Sequence, residues 1–578
     1  MIPSQAMSYV VIDQLIRAGI RDIVLSPGSR SAPLALECAA AERRGDVQLH
    51  VRIDERSAGF LGLGLAKASG APVAVLCTSG SAVANLAPAV VEASYAGVPL
   101  IVITADRPPE LRNTGANQTI DQVGFFGSQV RHAQDIGPAV NQPGQAKQWR
   151  RGIVRAIEKA RAVGFEGPIH INIALREPLL LATDEPWCEP FDLDVPQCGE
   201  RVQLLREPVD FTLADLGSDH VPTRGLVLVG DVRDPAEARA ASELAEACGW
   251  PIISEPSGNV SGGQNHIDHA PLVLMDADFV DSHQPDLLVS VGRFGLSRTV
   301  MKCVAGAKQH IVVALSGKDI PDPLHSAAIT LKSVPLPPSR TSTIAWDGPD
   351  VQWLAQWQSA ATTVAQRIET ILADATGDGE YLCGPSIARA VTSSLTSDDI
   401  LFVAASRPVR DVEAFAVAGS DGPRVVGNRG ASGIDGLIST AWGVATATGK
   451  RTVALLGDLA FLHDHNGLLA PDVESKPNLT IVVADNNGGG IFSSLEQGAP
   501  EFEQDFERVF GTPHGKDLVA IAAATGSEAT RVTTIDELTA GLKDSASTDH
   551  VKVLVAATIS REAEAELQRK LQGSFHRK

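Results

Sequence analysis

The amino-acid sequence predicts an α/β protein built from three doubly wound domains with mostly parallel sheets. Three observations carry that expectation: short unbroken apolar runs, a polar or Gly-containing turn after each, and a helix-like segment after each turn. Unbroken apolar runs suit strands covered on both faces, as those of a parallel sheet are. At 578 residues the chain is also too long for a single hydrophobic core.

The first domain is expected over residues 1–183. Its strands are read at Asp22-Ile23-Val24-Leu25, Val73-Ala74-Val75-Leu76-Cys77 and Leu100-Ile101-Val102-Ile103-Thr104. A Pro- and acid-rich stretch, 184–200, reads as a linker. The central domain, 200–335, repeats the alternation with Gly225-Leu226-Val227-Leu228-Val229-Gly230, Pro251-Ile252-Ile253-Ser254, Leu287-Leu288-Val289-Ser290-Val291 and Ile311-Val312-Val313-Ala314-Leu315. A second linker, from Val334 to Asp350, carries Pro, Ser and Thr. The third domain, 351–578, opens on a long helical pattern. First and third domains echo one another: Val73–Leu76 precedes Ile101–Asp106 by about the separation at which Val453–Leu456 precedes Ile481–Asp485.

Composition excludes several functions. A formal net charge of −20, with no Lys/Arg-rich run, argues against a nucleic-acid partner, because phosphate affinity needs a basic surface. Seven scattered cysteines without a C-x-x-C pair match neither a disulfide framework nor a zinc site, so reduced thiols in the cytoplasm are expected. No apolar run approaches the ~20 residues that span a bilayer, and residues 1–19 lack a signal-peptide pattern.

The strongest chemical signal is Gly457-Asp458 after one apolar run, followed a helix and a strand later by Asp485-Asn486-Asn487-Gly488. A carboxylate and an amide oxygen suit a hard cation such as Mg²⁺, which keeps positions open for phosphate oxygens. Both lie where strands of a parallel sheet end, the edge at which such sheets bind ligands. The Gly488 carbonyl is a candidate third ligand. Near the N-terminus, Asp54-Glu55-Arg56-Ser57-Ala58-Gly59 sets a carboxylate before a Gly-rich apolar helical stretch.

This pattern resembles the fingerprint of thiamine-diphosphate enzymes, with Leu459 in place of its last Gly and Asp485 in place of its first Asn. The resemblance implies that fold, thiamine diphosphate with Mg²⁺ (or Mn²⁺), and metal ligands Asp458, Asn486 and Gly488. It makes Glu55 the carboxylate beside the pyrimidine N1′, where it promotes loss of the thiazolium proton. Further segments are similar to one branch, the menaquinone-pathway 2-succinyl-5-enolpyruvyl-6-hydroxy-3-cyclohexene-1-carboxylate synthases. They are Ser26–Leu34, Thr78–Leu86, Thr104–Leu111, Gly115–Gln118, Asn428–Gly436 and Asn486–Phe492.

That family decarboxylates 2-oxoglutarate and adds the succinyl carbanion equivalent to isochorismate. Both substrates are dianions, and guanidinium groups capture carboxylates bidentately. The resemblance places Ser29, Arg30, Arg107, Asn117 and Gln118 on the isochorismate side, with Gln118 also catalytic. Ser406 and Arg410 fall near the 2-oxoglutarate-derived carboxylate, and Arg429 at the reacting centre. Arg298 is the central domain's contribution, next to Ser297 where other members can have Lys. Ile434 is the apolar wedge behind the cofactor; Ile491 and Phe492 wall the pocket. The family builds each site from two subunits, which implies a homodimer or a dimer of dimers.

Other patterns carry less. His463-Asp464-His465 resembles a metal cluster, but side chains at i and i+2 of a helix diverge. Gly225–Asp231 lacks the G-x-G-x-x-G of a dinucleotide site, and no G-x-S-x-G elbow occurs. An acetohydroxyacid-synthase-like carboligase is the nearest enzymatic alternative, yet its monoanionic substrates need fewer arginines. A noncatalytic ligand-binding α/β protein would not need both Glu55 and Asp458.

Overall fold

The structure is a computed structural model describing residues 1–181, 186–188, 190, 191, 213, 221–260, 262–337, 348–377, 379–417, 419, 421–547 and 550–575. Most of the 184–200 linker, Cys198, residues 200–220 of the expected central domain (213 apart) and residues 338–347 of the second linker lie outside that set.

Among the described residues, three sheets form. The first joins β1 (Asp22–Leu25), β2 (Gln48–Val51), β3 (Val73–Cys77), β4 (Leu100–Asp106), β5 (Ala133–Ile136) and β6 (Ile169–Ala174) in the order β2-β1-β3-β4-β6-β5. The second joins β7 (Gly225–Val229), β8 (Ile252–Ser254), β9 (Leu287–Val291), β10 (Gln309–Val313) and β11 (Ile329–Leu331) as β11-β10-β9-β7-β8. The third joins β12 (Ile400–Val403), β13 (Arg424–Val426), β14 (Thr452–Gly457), β15 (Leu479–Asp485), β16 (Glu528–Val532) and β17 (Val551–Ala557) as β13-β12-β14-β15-β17-β16. Every pairing among these strands is parallel.

Position matches pattern. The inner strands β3, β4, β6, β7 and β9 are buried at every residue, as their unbroken apolar runs require, whereas edge strands β2, β5 and β16 are partly exposed. The sequence echo has a structural counterpart. The outer sheets share one strand order, and β3/β4 hold the places that β14/β15 hold in the third. β10 sits two residues earlier than its apolar run because Gln309 and His310 pair with Leu287 and Leu288. Hydrogen bonding, not side-chain polarity, sets that boundary.

First and third domains share one core. The helix Glu55–Ser69 lies on the helix Leu437–Thr448, and Leu61, Leu65, Val75 and Val102 join Ile438, Ala441, Trp442 and Leu456 in a single apolar cluster. Two glycines permit this approach. A Cβ on Gly64 would lie 2.1 Å from the Thr440 carbonyl oxygen, and one on Gly443 2.3 Å from that of Leu61. Overfilling such a contact costs roughly 1–3 kcal/mol, with more where backbone opposes backbone. Gly443→Val is therefore expected to lower the unfolding free energy read from urea titration by about that amount or to yield insoluble chain; an unchanged value would show that the helices can separate freely.

The helix Val351–Thr376 belongs to two cores. Trp353 and Trp357 pack with Leu226, Leu228 and Leu288 of the central domain, while Ile368, Ile371 and Leu372 pack with Leu567, Leu571 and Phe575. Residue 351 thus starts an element that ties the central domain to the third. No helix among the described residues is long and apolar enough to cross a membrane.

Candidate active site

The third sheet ends in a cleft. β14 and β15 pair as far as Gly457 with Ala484, so Asp458 and Asn486 are delivered side by side just beyond the sheet. Three helices open on the same cleft: Gly384–Ser393, Arg407–Phe415 and Asp458–Asp464. Helix N-termini carry unpaired N–H groups and the positive end of the macrodipole, a setting for phosphate. Ser406, at the mouth of the second helix, holds φ +72°, a left-handed conformation rare for a residue with a Cβ.

Asp458 is fixed at both oxygens. Oδ1 accepts from the Leu459 N–H at 2.6 Å, and Oδ2 from the Gly488 N–H at 2.7 Å. His514 Nε2 lies 3.3 Å from Oδ2 and 3.7 Å from Asp485 Oδ1. The Lys516 N–H donates to His514 Nδ1 at 3.0 Å, which places the ring proton on Nε2, facing Asp458. His514 therefore acts on Asp458 as a donor. Burial raises the Asp458 carboxyl above its usual range, its two backbone donors oppose that, Asp485 adds to it, and His514 opposes it last.

Asn486 donates Nδ2 to Glu564 Oε2 at 3.1 Å, and its Oδ1 is buried without a partner. Asn487 instead turns its Oδ1 to the Gly515 N–H at 2.8 Å. Gly488 adopts φ +145°, and a Cβ there would lie 2.1 Å from the Gly511 carbonyl oxygen. Its carbonyl accepts from Gly490 at 3.0 Å, leaving one lone pair. Asp458, Asp485 and His514 offer atoms within 4.8 Å of one another. An orphaned amide oxygen beside a buried carboxylate is the donor set of a hard divalent cation.

Asp411 lies in the same cleft, 3.1 Å from Arg407. Burial raises it to about 7, Arg407 opposing and Glu564 adding. Folded Asp411 then holds a proton that the unfolded chain, titrating near ~3.9, has released. Its contribution to stability is present at low pH and is lost as pH rises through that window. The Tm of cofactor-free protein is expected to fall between about pH 5 and about pH 7.5, and Asp411→Asn to remove part of the fall. An identical slope in the variant contradicts this.

The loop Asn428–Gly436 carries Arg429 and Ile434, and the first domain holds it. Glu92 accepts from the N–H groups of Gly430, Ala431 and Ser432 at 2.9, 2.6 and 3.3 Å. Buried Lys67 pairs with Glu92 at 3.3 Å and donates to the Gly427 carbonyl and to Asn428 Oδ1. Ile434 reaches the cleft with Ser406, Asp458, Asn486, Gly488, Ile491 and Phe492. Arg410 lies nearby. It donates to the Ser406 carbonyl at 2.7 Å and is held below its ordinary value by burial first and the Arg429 charge second.

A second set collects at the first sheet. Arg30 is buried, bonding the Leu175 carbonyl and Glu177 at 2.9 Å each. Its charge, after burial, lowers Arg107, which donates to the Asn117 carbonyl. Gln118 holds φ +55° and donates its amide to the Ser79 carbonyl at 2.9 Å. Ser29 is exposed. Glu55 opens its helix, with Asp54 as N-cap, close enough to raise the Cys77 thiol further after burial has done so. None of these residues lines the cleft of the third domain. Arg298 is exposed at the start of its helix and does not line it either.

Several residues here escaped the sequence reading, Asp411 and Arg407 of the cleft among them. Glu564 and His514 act through single side chains far from any motif. Lys67 left a signal, a lone cation in the apolar run Gly59–Ala68, but its partner Glu92 did not. The His463-Asp464-His465 pattern resolves structurally: Asp464 is buried and accepts from the Ser439 N–H and hydroxyl.

The sheet order shared by the outer domains, with a carboxylate and a bare amide oxygen at adjacent strand ends, is the frame on which likeness to known proteins identifies a thiamine-diphosphate enzyme, a carboligase. In accord, the chain matches the family "Thiamine pyrophosphate enzyme, N-terminal TPP binding domain" over residues 6–125 and its "C-terminal TPP binding domain" counterpart over residues 416–556. It is 42% identical over 579 residues to the 2-succinyl-5-enolpyruvyl-6-hydroxy-3-cyclohexene-1-carboxylate synthase of Saccharopolyspora erythraea, covering 99% of this chain and 100% of that one. Identity to the synthase of Thermobifida fusca is 43%, covering 99% and 98%, and to that of Kineococcus radiotolerans 42%, covering 93% of each. The chain belongs to the 2-succinyl-5-enolpyruvyl-6-hydroxy-3-cyclohexene-1-carboxylate synthase family.

Proposed function

We propose that the chain decarboxylates 2-oxoglutarate and joins the remaining succinyl unit to isochorismate, releasing CO₂ and 2-succinyl-5-enolpyruvyl-6-hydroxy-3-cyclohexene-1-carboxylate for menaquinone biosynthesis. The observation that carries the reading is the end-to-end likeness to synthases of that name, which spans both sets of site residues.

Asp458, Asn486 through Oδ1 and the Gly488 carbonyl would hold Mg²⁺ (or Mn²⁺), and the helix N-termini at Gly384 and Arg407 the diphosphate. When bound, thiamine diphosphate supplies the electron sink for loss of the substrate carboxylate. Glu55 would hold a proton for the pyrimidine N1′, the acid–base role that requires hydrogen-bond reach. Ile434, in the cleft lining, would supply the apolar wedge behind the cofactor. Ser406 and Arg410 receive the distal carboxylate of 2-oxoglutarate, and Arg429 faces the reacting carbon. Ser29, Arg30, Arg107, Asn117, Gln118 and Arg298 receive isochorismate, while Ile491 and Phe492 exclude water.

Within one chain none of the first set lines the third-domain cleft, so we assign the complete site to two chains, the first domain of one facing the third domain of its partner. Six described cysteines are free thiols, in keeping with a cytoplasmic setting. Mixing the inactive variants Glu55→Gln and Asp458→Asn tests the shared site. Random reassortment makes half of the dimers mixed, each with one intact site, so about a quarter of wild-type activity should return. A mixture as inactive as its components overturns the two-chain site.

A further inference from the structure

We infer that Glu564 is a positioning residue for the cation site: its carboxylate holds the Asn486 amide in the orientation that presents Oδ1 to the cation. The inference rests on the reading of Asn486 as a metal ligand.

The two ends of an amide are nearly alike in shape, so packing alone does not decide which end faces outward. Glu564 decides it chemically. A carboxylate accepts and never donates when ionised, so only the NH₂ end of Asn486 can face it. Glu564 Oε2 accepts from Asn486 Nδ2 at 3.1 Å, and Oε1 accepts from the Gly384 N–H at 2.9 Å. Both oxygens are thus engaged and the carboxylate cannot turn away. Gly490 closes in on the same end of the amide, where a Cβ would lie 2.5 Å from Nδ2. What remains is Oδ1, buried and unpartnered, lining the cleft with Asp458.

The position of Glu564 is itself determined far from the site. It rides on the helix Arg561–Phe575, whose Leu567, Leu571 and Phe575 are buried against Ile368 and Leu372. Arg561 on the first turn bonds Glu507 at 2.5 Å. Docking of the C-terminal helix therefore orients a ligand 78 residues upstream. Groups of this kind, bonded to a ligand but not to the metal, typically alter metal affinity 10–100-fold when changed.

The test is a double-mutant cycle read by Mn²⁺ binding, followed as loss of the free Mn²⁺ electron-paramagnetic-resonance signal at fixed thiamine diphosphate. Glu564→Gln must set its NH₂ against either the Asn486 NH₂ or the Gly384 N–H, so one of the two contacts that fix the group is lost. It is expected to raise the half-saturating Mn²⁺ about 10–100-fold, with an unchanged circular-dichroism spectrum. Added to Asn486→Ala, it is expected to have no further effect, because the group it positions is gone. Wild-type affinity in Glu564→Gln overturns the inference. So does a full multiplicative effect on top of Asn486→Ala, which would mark Glu564 as a general charge or fold element. Wild-type affinity in Asn486→Ala alone defeats the ligand reading and the inference with it, a result distinct from the other two. Should the Gln variant not fold, Glu564→Ala enters the same cycle.

Discussion

Asp458→Asn is expected to abolish cofactor-dependent turnover, by at least about 10³-fold, since a bound divalent cation contributes several kcal/mol and each ~1.4 kcal/mol is a factor of ten. The reason is local. Each Asp458 oxygen already accepts a backbone N–H, so an amide there must set its own NH₂ against a donor, from Leu459 or from Gly488 and His514. The cation loses a charge and the Gly488 turn loses an anchor. Calorimetric titration with Mg²⁺ and thiamine diphosphate should show no saturable heat, while circular dichroism stays as in the wild type. Retained Mg²⁺-dependent binding would remove Asp458 from the metal site.

Glu55→Gln is expected to behave in the opposite way. Turnover should fall by roughly 10²–10⁴-fold, the usual worth of a positioned general acid–base. Mg²⁺-dependent diphosphate binding should be unchanged, because Glu55 belongs to the first domain and the metal site to the third. The helix should also persist, since its N-cap is Asp54, which accepts from the Arg56 N–H. Near-normal turnover would sink the assignment, and a parallel loss of metal binding would place Glu55 in the wrong half of the site.

Much of this was legible in the sequence because parallel sheets write themselves as apolar runs. β1, β3 and β9 coincide with the runs read for them, and Asp458 and Asn486 fall one residue beyond β14 and β15. Beyond β15, Asn487 turns its Oδ1 to the Gly515 N–H, while the Oδ1 of Asn486 is left without a partner. Less was legible where one element serves two cores. The helix Val351–Thr376 shows one helical pattern, yet its two halves face different domains. Least legible were the residues that hold others in place. Glu92 grips the Asn428–Gly436 loop from 338 to 340 residues away, and Glu564 sits on an ordinary amphipathic helix. Such contacts are made by single side chains across the fold, and no periodicity records them.

The most direct test of the assigned reaction is substrate-dependent CO₂ release. Purified protein with thiamine diphosphate and Mg²⁺ is given 2-oxoglutarate or pyruvate, each with and without isochorismate, and the products are identified by mass. The expected result is rapid CO₂ release only with 2-oxoglutarate and isochorismate together, matched by one equivalent of 2-succinyl-5-enolpyruvyl-6-hydroxy-3-cyclohexene-1-carboxylate. Release from pyruvate at a comparable rate, or from 2-oxoglutarate with isochorismate left unconsumed, would contradict it.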